Sequence, residues 1–257
     1  MMIRTVLERL SRKVVLRRRL PSRLGGDQLF VSPDSALRCW KRNLDSAWGD
    51  LFAFAEEFVN KGDVVWDVGA NVGMLTFPCA FRAGSAGRVI AIEPDVFLVN
   101  LLRQSASNMS PERAAVVVLP VAVSNSIGIA SFHIARRGRS TNYLASLPGS
   151  SEAGGVRETV SVITVTLDWL MEQLPKPNVL KIDVEGAEFN VLAGATRLLT
   201  EAKPVILCEV SRENEDACTE ILRSHGYNLY DFDNRGRGRL EKAPFSTLAI
   251  NEGRRAR

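Results

Sequence analysis

The stretch that most constrains the fold covers residues 64–74 and has the sequence VVWDVGANVGM. Its first five residues are a short, β-branched apolar run, which is typical of a buried strand. The run ends at Gly69, and an apolar segment after Gly73 predicts a helix over residues 74–81. Glycine permits positive φ angles and close approach of a ligand to the backbone. A strand, a glycine turn and a helix N-terminus predict the nucleotide-binding end of a doubly wound α/β sheet.

The spacing of this turn indicates which nucleotide fits. A dinucleotide-binding turn has the pattern G-x-G-x-x-G, and a P-loop has G-x-x-x-x-G-K followed by Ser or Thr. This chain has neither pattern, because Asn71 stands where the middle glycine would fall. A second apolar run, Arg88–Ile92, ends in Glu93, whose carboxylate is placed to accept both ribose hydroxyls of an adenosine. Asp67, at the tip of the first strand, is placed to meet an ammonium group. An adenosine with an amino-acid ammonium group and no phosphate describes S-adenosylmethionine.

Six sequence blocks follow one another along the chain: VVWDVGANVGMLT, VIAIEP, LPVAVSNSIGIASF, VTLDWL, VLKIDVEGAEFNVLAGA and PVILCEV. In order and spacing they resemble the FkbM-type methyltransferases over about residues 62–212, and the block from Lys181 to Glu188 is the most family-specific. The resemblance implies a Rossmann-like class I methyltransferase fold, with a seven-stranded, mostly parallel sheet and an antiparallel last strand. It also implies that the adenine ring lies near Ala122. The expected cofactor-binding residues are therefore Asp67, Gly69, Asn71, Gly73, Glu93 and Ala122.

Candidate catalytic residues follow the fourth core strand, at the edge where α/β enzymes place reacting groups. Methyl transfer from a sulfonium requires a positioned nucleophile and, for a hydroxyl, removal of its proton. Asp183 and Glu185 leave this strand together, and repulsion between them would raise the pKa of one and suit it as a base. Lys181 is expected to pair with one of them. Glu209, at the end of the fifth strand, is a third candidate.

A divalent cation held by Asp183, Glu185 and Glu209 is the alternative use of these acids. Their spacing differs from that of catechol-type methyltransferases, so we expect no metal site. The four cysteines lack a C-x-x-C pair and only two histidines are present, which argues against zinc. We expect buried or free thiols, and neither His133 nor His225 is expected to be catalytic.

Residues 136–155 are rich in Gly, Ser and Arg and have few apolar anchors. This composition predicts a mobile loop near the cofactor's methyl group. We interpret this loop as a substrate lid, and its candidate substrate contacts are Arg136, Arg137, Ser140, Thr141 and Asn142. A loop without a role is the alternative.

The first two dozen residues carry eight of the chain's arginines and lysines, with apolar residues near helical spacing over residues 1–20. Such a basic amphipathic helix could pack on the domain, lie on an anionic membrane surface, or bind nucleic acid. We divide the chain into a basic amphipathic N-terminal extension (1–24), a helical cover of the sheet (25–61) and a methyltransferase domain (62–257). No apolar run is long enough to span a bilayer and no clear signal-peptide core is present, so we expect a cytoplasmic protein, with peripheral membrane contact through residues 1–24 as an option.

The sequence thus predicts an S-adenosylmethionine-dependent O-methyltransferase. The resemblance implies a hydroxyl acceptor on a sugar, glycolipid, polysaccharide or polyketide. The alternatives are an NAD-dependent oxidoreductase and a non-catalytic binding protein on the same fold. The absent third glycine argues against the first, and the intact strand-end acids argue against the second. A nucleic-acid acceptor is disfavoured, since a sequence pI near 9.0 is its main support and no RNA-binding module is evident.

Overall fold

A computed structural model describes residues 8, 10–147, 153–234 and 238–253. In chain order, its strands are β1 (Leu16–Arg19), β2 (Gln28–Val31), β3 (Val64–Val68), β4 (Arg88–Ile92), β5 (Ala115–Leu119), β6 (Ala122–Val123), β7 (Gly128–Ala135), β8 (Tyr143–Leu144), β9 (Val156–Val165), β10 (Val179–Ile182), β11 (Val205–Glu209), β12 (Tyr227–Asp231) and β13 (Ser246–Asn251). The α-helices are α1 (Asp45–Phe58), α2 (Thr76–Ala83), α3 (Val96–Ser107), α4 (Leu167–Gln173), α5 (Glu188–Ala193), α6 (Thr196–Glu201) and α7 (Glu215–Ser224).

Seven strands form the central sheet, in the order β5-β4-β3-β10-β11-β13-β12. The pairs from β5 through β11 are parallel, whereas β13 runs antiparallel to both β11 and β12. This confirms the predicted mostly parallel sheet with an antiparallel last strand. Because β3 and β10 are neighbours, the register sets Asp67 directly beside Lys181.

Both faces of this sheet are covered, which explains why its central strands are near-continuous apolar runs. Trp66, Ile90 and Leu180 face one core cluster, and Val65 and Val89 face another. Lys181 interrupts this pattern, since it is 5% exposed within the wholly buried β10.

The N-terminal prediction needs correction. The helix expected over residues 1–20 is wrong for Leu16–Arg19, which form β1 and pair antiparallel with β2; residues 1–7 and 9 lie outside the described part. The guanidinium of Arg18 donates hydrogen bonds to the carbonyls of Cys39, Trp40 and Lys41, so long-range contacts override the local helical spacing. The boundary proposed at residue 24 falls in the loop of this hairpin, which includes a 3₁₀ turn at Ser22–Leu24.

The segment 25–61 is helical only in part. It contains β2, a 3₁₀ turn at Leu37–Trp40 and α1. Residues 188–201 form two short helices, α5 and α6, which are separated by Gly194 and Ala195.

A second sheet, ordered β6-β9-β7-β8, carries the region predicted to be a loop. Within residues 136–155 the structure has a 3₁₀ turn at Arg139–Thr141 and the strand β8, while residues 148–152 lie outside the described part. Leu144 and Asn142 are both buried. The expectation that this segment has few side chains to hold it against the protein is therefore wrong for these two residues. In the described ranges, no helix is both long and apolar enough to cross a membrane. All four cysteines are free and buried, as predicted.

Candidate active site

A cavity of about 300 Å³ opens at the carboxyl ends of the central strands. Its size lies within the range of small-molecule sites, and its place is where open α/β sheets bind ligands. The acidic and basic side chains that line it are Arg38, Asp67, Glu93, Arg139, Lys181, Asp183, Glu185 and Glu209. The predicted catalytic residues Lys181, Asp183 and Glu185 and the further candidate Glu209 all line this cavity, as do the predicted cofactor residues Asp67, Gly69, Asn71, Glu93 and Ala122. Gly73 does not.

The glycine turn after β3 is shaped by protein packing. Gly69, Asn71 and Gly73 have φ angles of 75°, 53° and 86°. A Cβ on Gly69 would lie 1.9 Å from the carbonyl oxygen of Asp183, and one on Gly73 would lie 2.3 Å from the Phe77 ring. Protein atoms therefore fill the space that we expected these glycines to leave for a ligand. The roles of both glycines in cofactor binding remain predictions.

Glu93 is buried beside this turn. One carboxylate oxygen accepts a hydrogen bond from the backbone N–H of Asn71 and the other from that of Asp95, each at 2.9 Å. Burial raises the pKa of Glu93 to about 7, and the charge of Asp95 adds to this, although the two N–H groups and Lys181 lower it. Each oxygen keeps a lone pair, so two ribose hydroxyls can still be accepted.

Lys181 holds the acidic cluster together. Its Nζ donates to the carbonyl of Gly69 at 2.8 Å and lies 3.0 Å from Asp183 and 3.5 Å from Asp67. Burial opposes the charge, but Asp183, Asp67 and Glu209 outweigh it and raise the Lys181 pKa above its ordinary value. Lys181 was expected to pair with Asp183 or Glu185, and it forms ion pairs with Asp183 and with Asp67.

Asp67 is fully buried and already faces two protein groups. Besides Lys181, it accepts a hydrogen bond from the hydroxyl of Thr76 at 2.5 Å. These contacts fix the carboxylate at the tip of β3. Its contact with a ligand ammonium group stays a prediction.

Glu209 ends β11 next to this cluster. Burial and the charge of the neighbouring Asp183 together raise the Glu209 pKa to about 7, although Lys181 and Arg38 act to lower it. A carboxyl group that titrates near neutral pH can accept a proton during turnover. Glu185 lines the same cavity in a left-handed backbone conformation, with a φ of 43°.

Two segments close over the cavity from outside the central sheet. Arg139 lies between Asp34 and Asp95, at 2.8 Å and 2.5 Å, and its guanidinium stacks on Phe97. The backbone N–H groups of Arg139 and Ser140 donate to the carbonyls of Asp34 and Ser35. We call these two segments, residues 32–38 and 138–144, the roof.

Of the predicted lid contacts, Ser140, Thr141 and Asn142 line the cavity. Arg136 instead donates to the carbonyl of Val156, and Arg137 pairs with Glu8. Sequence reasoning missed Ser35, Arg38 and Arg139. No local signal identifies Arg139, since its partners lie 105 and 44 residues away.

Neither histidine lines the cavity: His133 contacts Thr159 and His225 contacts the carbonyl of Ile221. In the part of the chain that the structure describes, no group of three or more His, Cys, Asp or Glu side chains could hold a metal ion.

The sequence profile of the methyltransferase FkbM domain matches residues 67–229, which include every strand-end acid of the cavity. The chain belongs to the FkbM methyltransferase family. A hexuronic acid methyltransferase, AglP of Haloferax volcanii, is 32% identical over 162 residues, which are 62% of this chain and 60% of that protein. The AMB antimetabolite synthetase AmbE of Pseudomonas aeruginosa is 27% identical over 208 residues, which span 65% of this chain but 10% of that protein. The chain thus spans less than two thirds of the length of each of these two relatives.

Solved structures give more distant similarities. The methyltransferase FkbM from Methylobacillus flagellatus is 15% identical with a TM-score of 0.48, over 77% of this chain and 50% of that one. An S-adenosylmethionine-dependent O-methyltransferase from Thermotoga maritima is 15% identical with a TM-score of 0.42, over 81% of this chain and 67% of that one.

Proposed function

We propose that this FkbM-family chain is an S-adenosylmethionine-dependent O-methyltransferase that acts on a sugar or glycan. The observation that carries the proposal is the family match over residues 67–229, which contains the acid-lined cavity at the carboxyl edge of the sheet. An NAD-dependent oxidoreductase is not favoured, because the family match and the glycine spacing both argue against it.

The residues around the glycine turn suit an adenosine ligand. Glu93 would accept the ribose hydroxyls with the lone pairs that its two backbone N–H donors leave. Gly69 and Asn71 would contact the ligand from the turn, Ala122 would lie near the adenine, and Gly73 would shape the turn from behind. Asp67 would meet the ammonium group. S-adenosylmethionine, when bound, supplies an activated methyl group.

Proton removal from an acceptor hydroxyl falls to the acids at the ends of β10 and β11. The ion pair with Lys181, at 3.0 Å, fixes the position of the Asp183 carboxylate. Asp183 and Glu185 would orient the acceptor hydroxyl. Glu209, whose pKa of about 7 suits reversible protonation, would take the proton.

The name of the Haloferax volcanii relative makes a sugar acid the first acceptor class to test. In such a compound a ring hydroxyl would give a methyl ether, which withstands alkali, and the carboxylate would give an alkali-labile ester. We propose hydroxyl methylation, because the site supplies a proton acceptor that a carboxylate nucleophile would not need. Contact with an anionic membrane through residues 1–24 stays a prediction, and deleting those residues is a poor test because it also removes β1.

Calorimetric titration with S-adenosylmethionine, and separately with NAD, tests the cofactor. We expect micromolar binding of S-adenosylmethionine only, weakened by about 1–3 kcal/mol in Glu93→Ala because a buried hydrogen-bonding carboxylate is lost. Transfer of a labelled methyl group to sugar acceptors, with Glu209→Gln and Asp183→Asn compared, then tests the reaction. Binding of NAD without S-adenosylmethionine would overturn the proposal, as would unchanged turnover in both variants.

A further inference from the structure

A second cavity, of about 240 Å³, adjoins the first. The two share five lining residues, all from the roof: Ser35, Ala36, Arg38, Ser140 and Thr141. The two cavities therefore meet at the roof, so a ligand in the second cavity would lie next to the space that contains the acids of the first. The second cavity lies outside the glycine turn and the strand ends assigned to the cofactor.

Charge distinguishes the second cavity from the first. Its charged lining residues are Arg38, Arg137 and Glu8, whereas the first has five carboxylates and three basic groups. Arg137 pairs with Glu8 at 3.4 Å, so that charge is compensated. None of the described carboxylates lies within ion-pair distance of Arg38. The uncompensated charge at this cavity is positive.

Arg38 is held in place without using most of its donors. Its Nη1 donates to the carbonyl of Ala47 at 3.1 Å, and its guanidinium lies 5.1 Å from the centre of the buried Trp48 ring. A guanidinium has five N–H groups in a rigid fork that matches a carboxylate with two parallel hydrogen bonds. The stacked Arg38 is thus oriented before any ligand arrives, which lowers the entropic cost of binding.

Polar groups for the rest of a sugar line the same two cavities as Arg38. Ser140 and Thr141 line both cavities, and their hydroxyl oxygens can exchange hydrogen bonds with sugar hydroxyls. On the other side, Arg38 lies close enough to Glu209 for its charge to act on that carboxyl group. One ligand could therefore span from Arg38 to the acids at the ends of β10 and β11.

We propose that the second cavity is the acceptor subsite and that Arg38 binds a carboxylate of the acceptor there, which makes sugar acids the preferred substrates. The carboxylate would anchor one end of the sugar, and a ring hydroxyl would reach the first cavity. This inference rests on the proposed function, because it assumes that the first cavity is where methyl transfer occurs.

Ligand binding to the full chain tests the subsite without requiring turnover. Methyl β-D-glucuronide and methyl β-D-glucoside differ only in a carboxylate against a hydroxymethyl group, and their affinities can be measured by saturation-transfer NMR with and without S-adenosylhomocysteine. We expect the glucuronide to bind at least tenfold more tightly. Arg38→Gln should remove this preference, and Arg38→Lys should retain part of it. Arg42→Gln removes an exposed charge four residues away that lines neither cavity, and it should leave the preference unchanged.

Equal affinity for the two sugars, no binding of either, or an unchanged preference in Arg38→Gln would overturn the subsite. Failure of the proposed function is seen separately. If S-adenosylmethionine does not bind but the Arg38-dependent preference for glucuronide persists, the methyltransferase assignment falls while carboxylate binding by Arg38 stands.

Discussion

At the scale of single residues, Gly69 sets how closely the turn after β3 can approach the end of β10. Its φ of 75° is strained for any residue with a side chain, and an added Cβ would collide with the Asp183 carbonyl. The carbonyl of Gly69 itself accepts a hydrogen bond from Lys181. One glycine therefore fixes the distance between the predicted cofactor turn and the predicted catalytic acids.

Gly69→Ala should destabilise the protein by about 2–5 kcal/mol, because the left-handed conformation and the overpacking each contribute. Gly62→Ala is the matched control, since Gly62 has a φ of 83° but no atom lies within 4 Å of its added Cβ. That change should cost only the conformational strain, about 1–2 kcal/mol. Urea unfolding of both variants measures the difference. Equal losses of stability in the two variants would show that the contact with the Asp183 carbonyl adds nothing to the cost of Gly69→Ala.

The raised pKa of Glu93 predicts a pH dependence of cofactor affinity. The ionised carboxylate is the better acceptor for ribose hydroxyls, and its fraction rises with pH through a pKa of about 7. Affinity for S-adenosylmethionine should therefore rise roughly tenfold between pH 6 and pH 8. Glu93→Gln should flatten this profile, whereas Glu209→Gln should keep it. A profile that survives in Glu93→Gln would assign the titration to another group.

Site residues at the ends of strands could be predicted from the sequence, whereas site residues of the roof could not. Asp67, Glu93 and Asp183 each follow an apolar run, so strand prediction alone placed them at one edge of the sheet. Arg38 and Arg139 have no such context, because their positions depend on contacts between segments far apart in the chain. Local pattern therefore predicts the strand-end groups of this site and misses its roof.

At the scale of elements, the roof is two segments joined through Arg139. Its side chain, 13% exposed, lies between carboxylates that are each 3% exposed. Asp34 has a second partner in Arg157, and Asp95 has one in Asn142. This network ties residues 32–38 and 138–144 to the start of α3.

Arg139→Gln should weaken the roof, because it leaves two buried carboxylates with less compensation. We expect a loss of about 3–5 kcal/mol in stability and faster exchange of the Arg139 and Ser140 amide protons. The affinity for S-adenosylmethionine should also fall. Arg197→Gln breaks exposed pairs with Glu172 and Glu201 and should leave the stability nearly unchanged, because solvent screens exposed ion pairs. Unchanged amide exchange in Arg139→Gln would mean that the backbone pairing alone holds the roof.

Secondary-structure elements were predicted well where burial determines the apolar pattern of the sequence. They were predicted poorly where pairing with another strand determines the structure. The strands at residues 64–68 and 88–92 were predicted with their observed bounds, because each is a largely buried apolar run. Leu16–Arg19 has alternating half-buried and exposed residues, and it becomes a strand through pairing with Gln28–Val31. The helical spacing over residues 1–20 carried no information about that partner.

At the scale of the whole molecule, the N-terminal hairpin belongs to the main core. Leu24, Leu29 and Val31 are fully buried and pack in one cluster with residues of β4 and α3. An ion pair of 2.8 Å between Arg113 and Asp27 joins the hairpin to the segment before β5. The hairpin also leads directly into residues 32–38 of the roof, so the integrity of the site depends on it.

Leu29→Ala should cost about 2–5 kcal/mol, as expected for truncation of a fully buried leucine. Ile129→Ala, at a position that is 81% exposed, should change stability by less than about 0.5 kcal/mol. Chemical unfolding followed by circular dichroism compares the two. A Leu29→Ala variant as stable as the Ile129→Ala variant would mean that the hairpin does not contribute to the stability of the core.

The place of β13 in the sheet has a consequence for how the protein is made. This strand is the last of the described chain to be synthesised, yet it lies between β11 and β12. On the ribosome, β12 emerges with no neighbour to pair with, and the exposed edge of β11 stays open until residues 246–251 appear. The last-made strand is therefore inserted between two strands made before it, and the edge of β11 stays unprotected while residues 210–245 are synthesised.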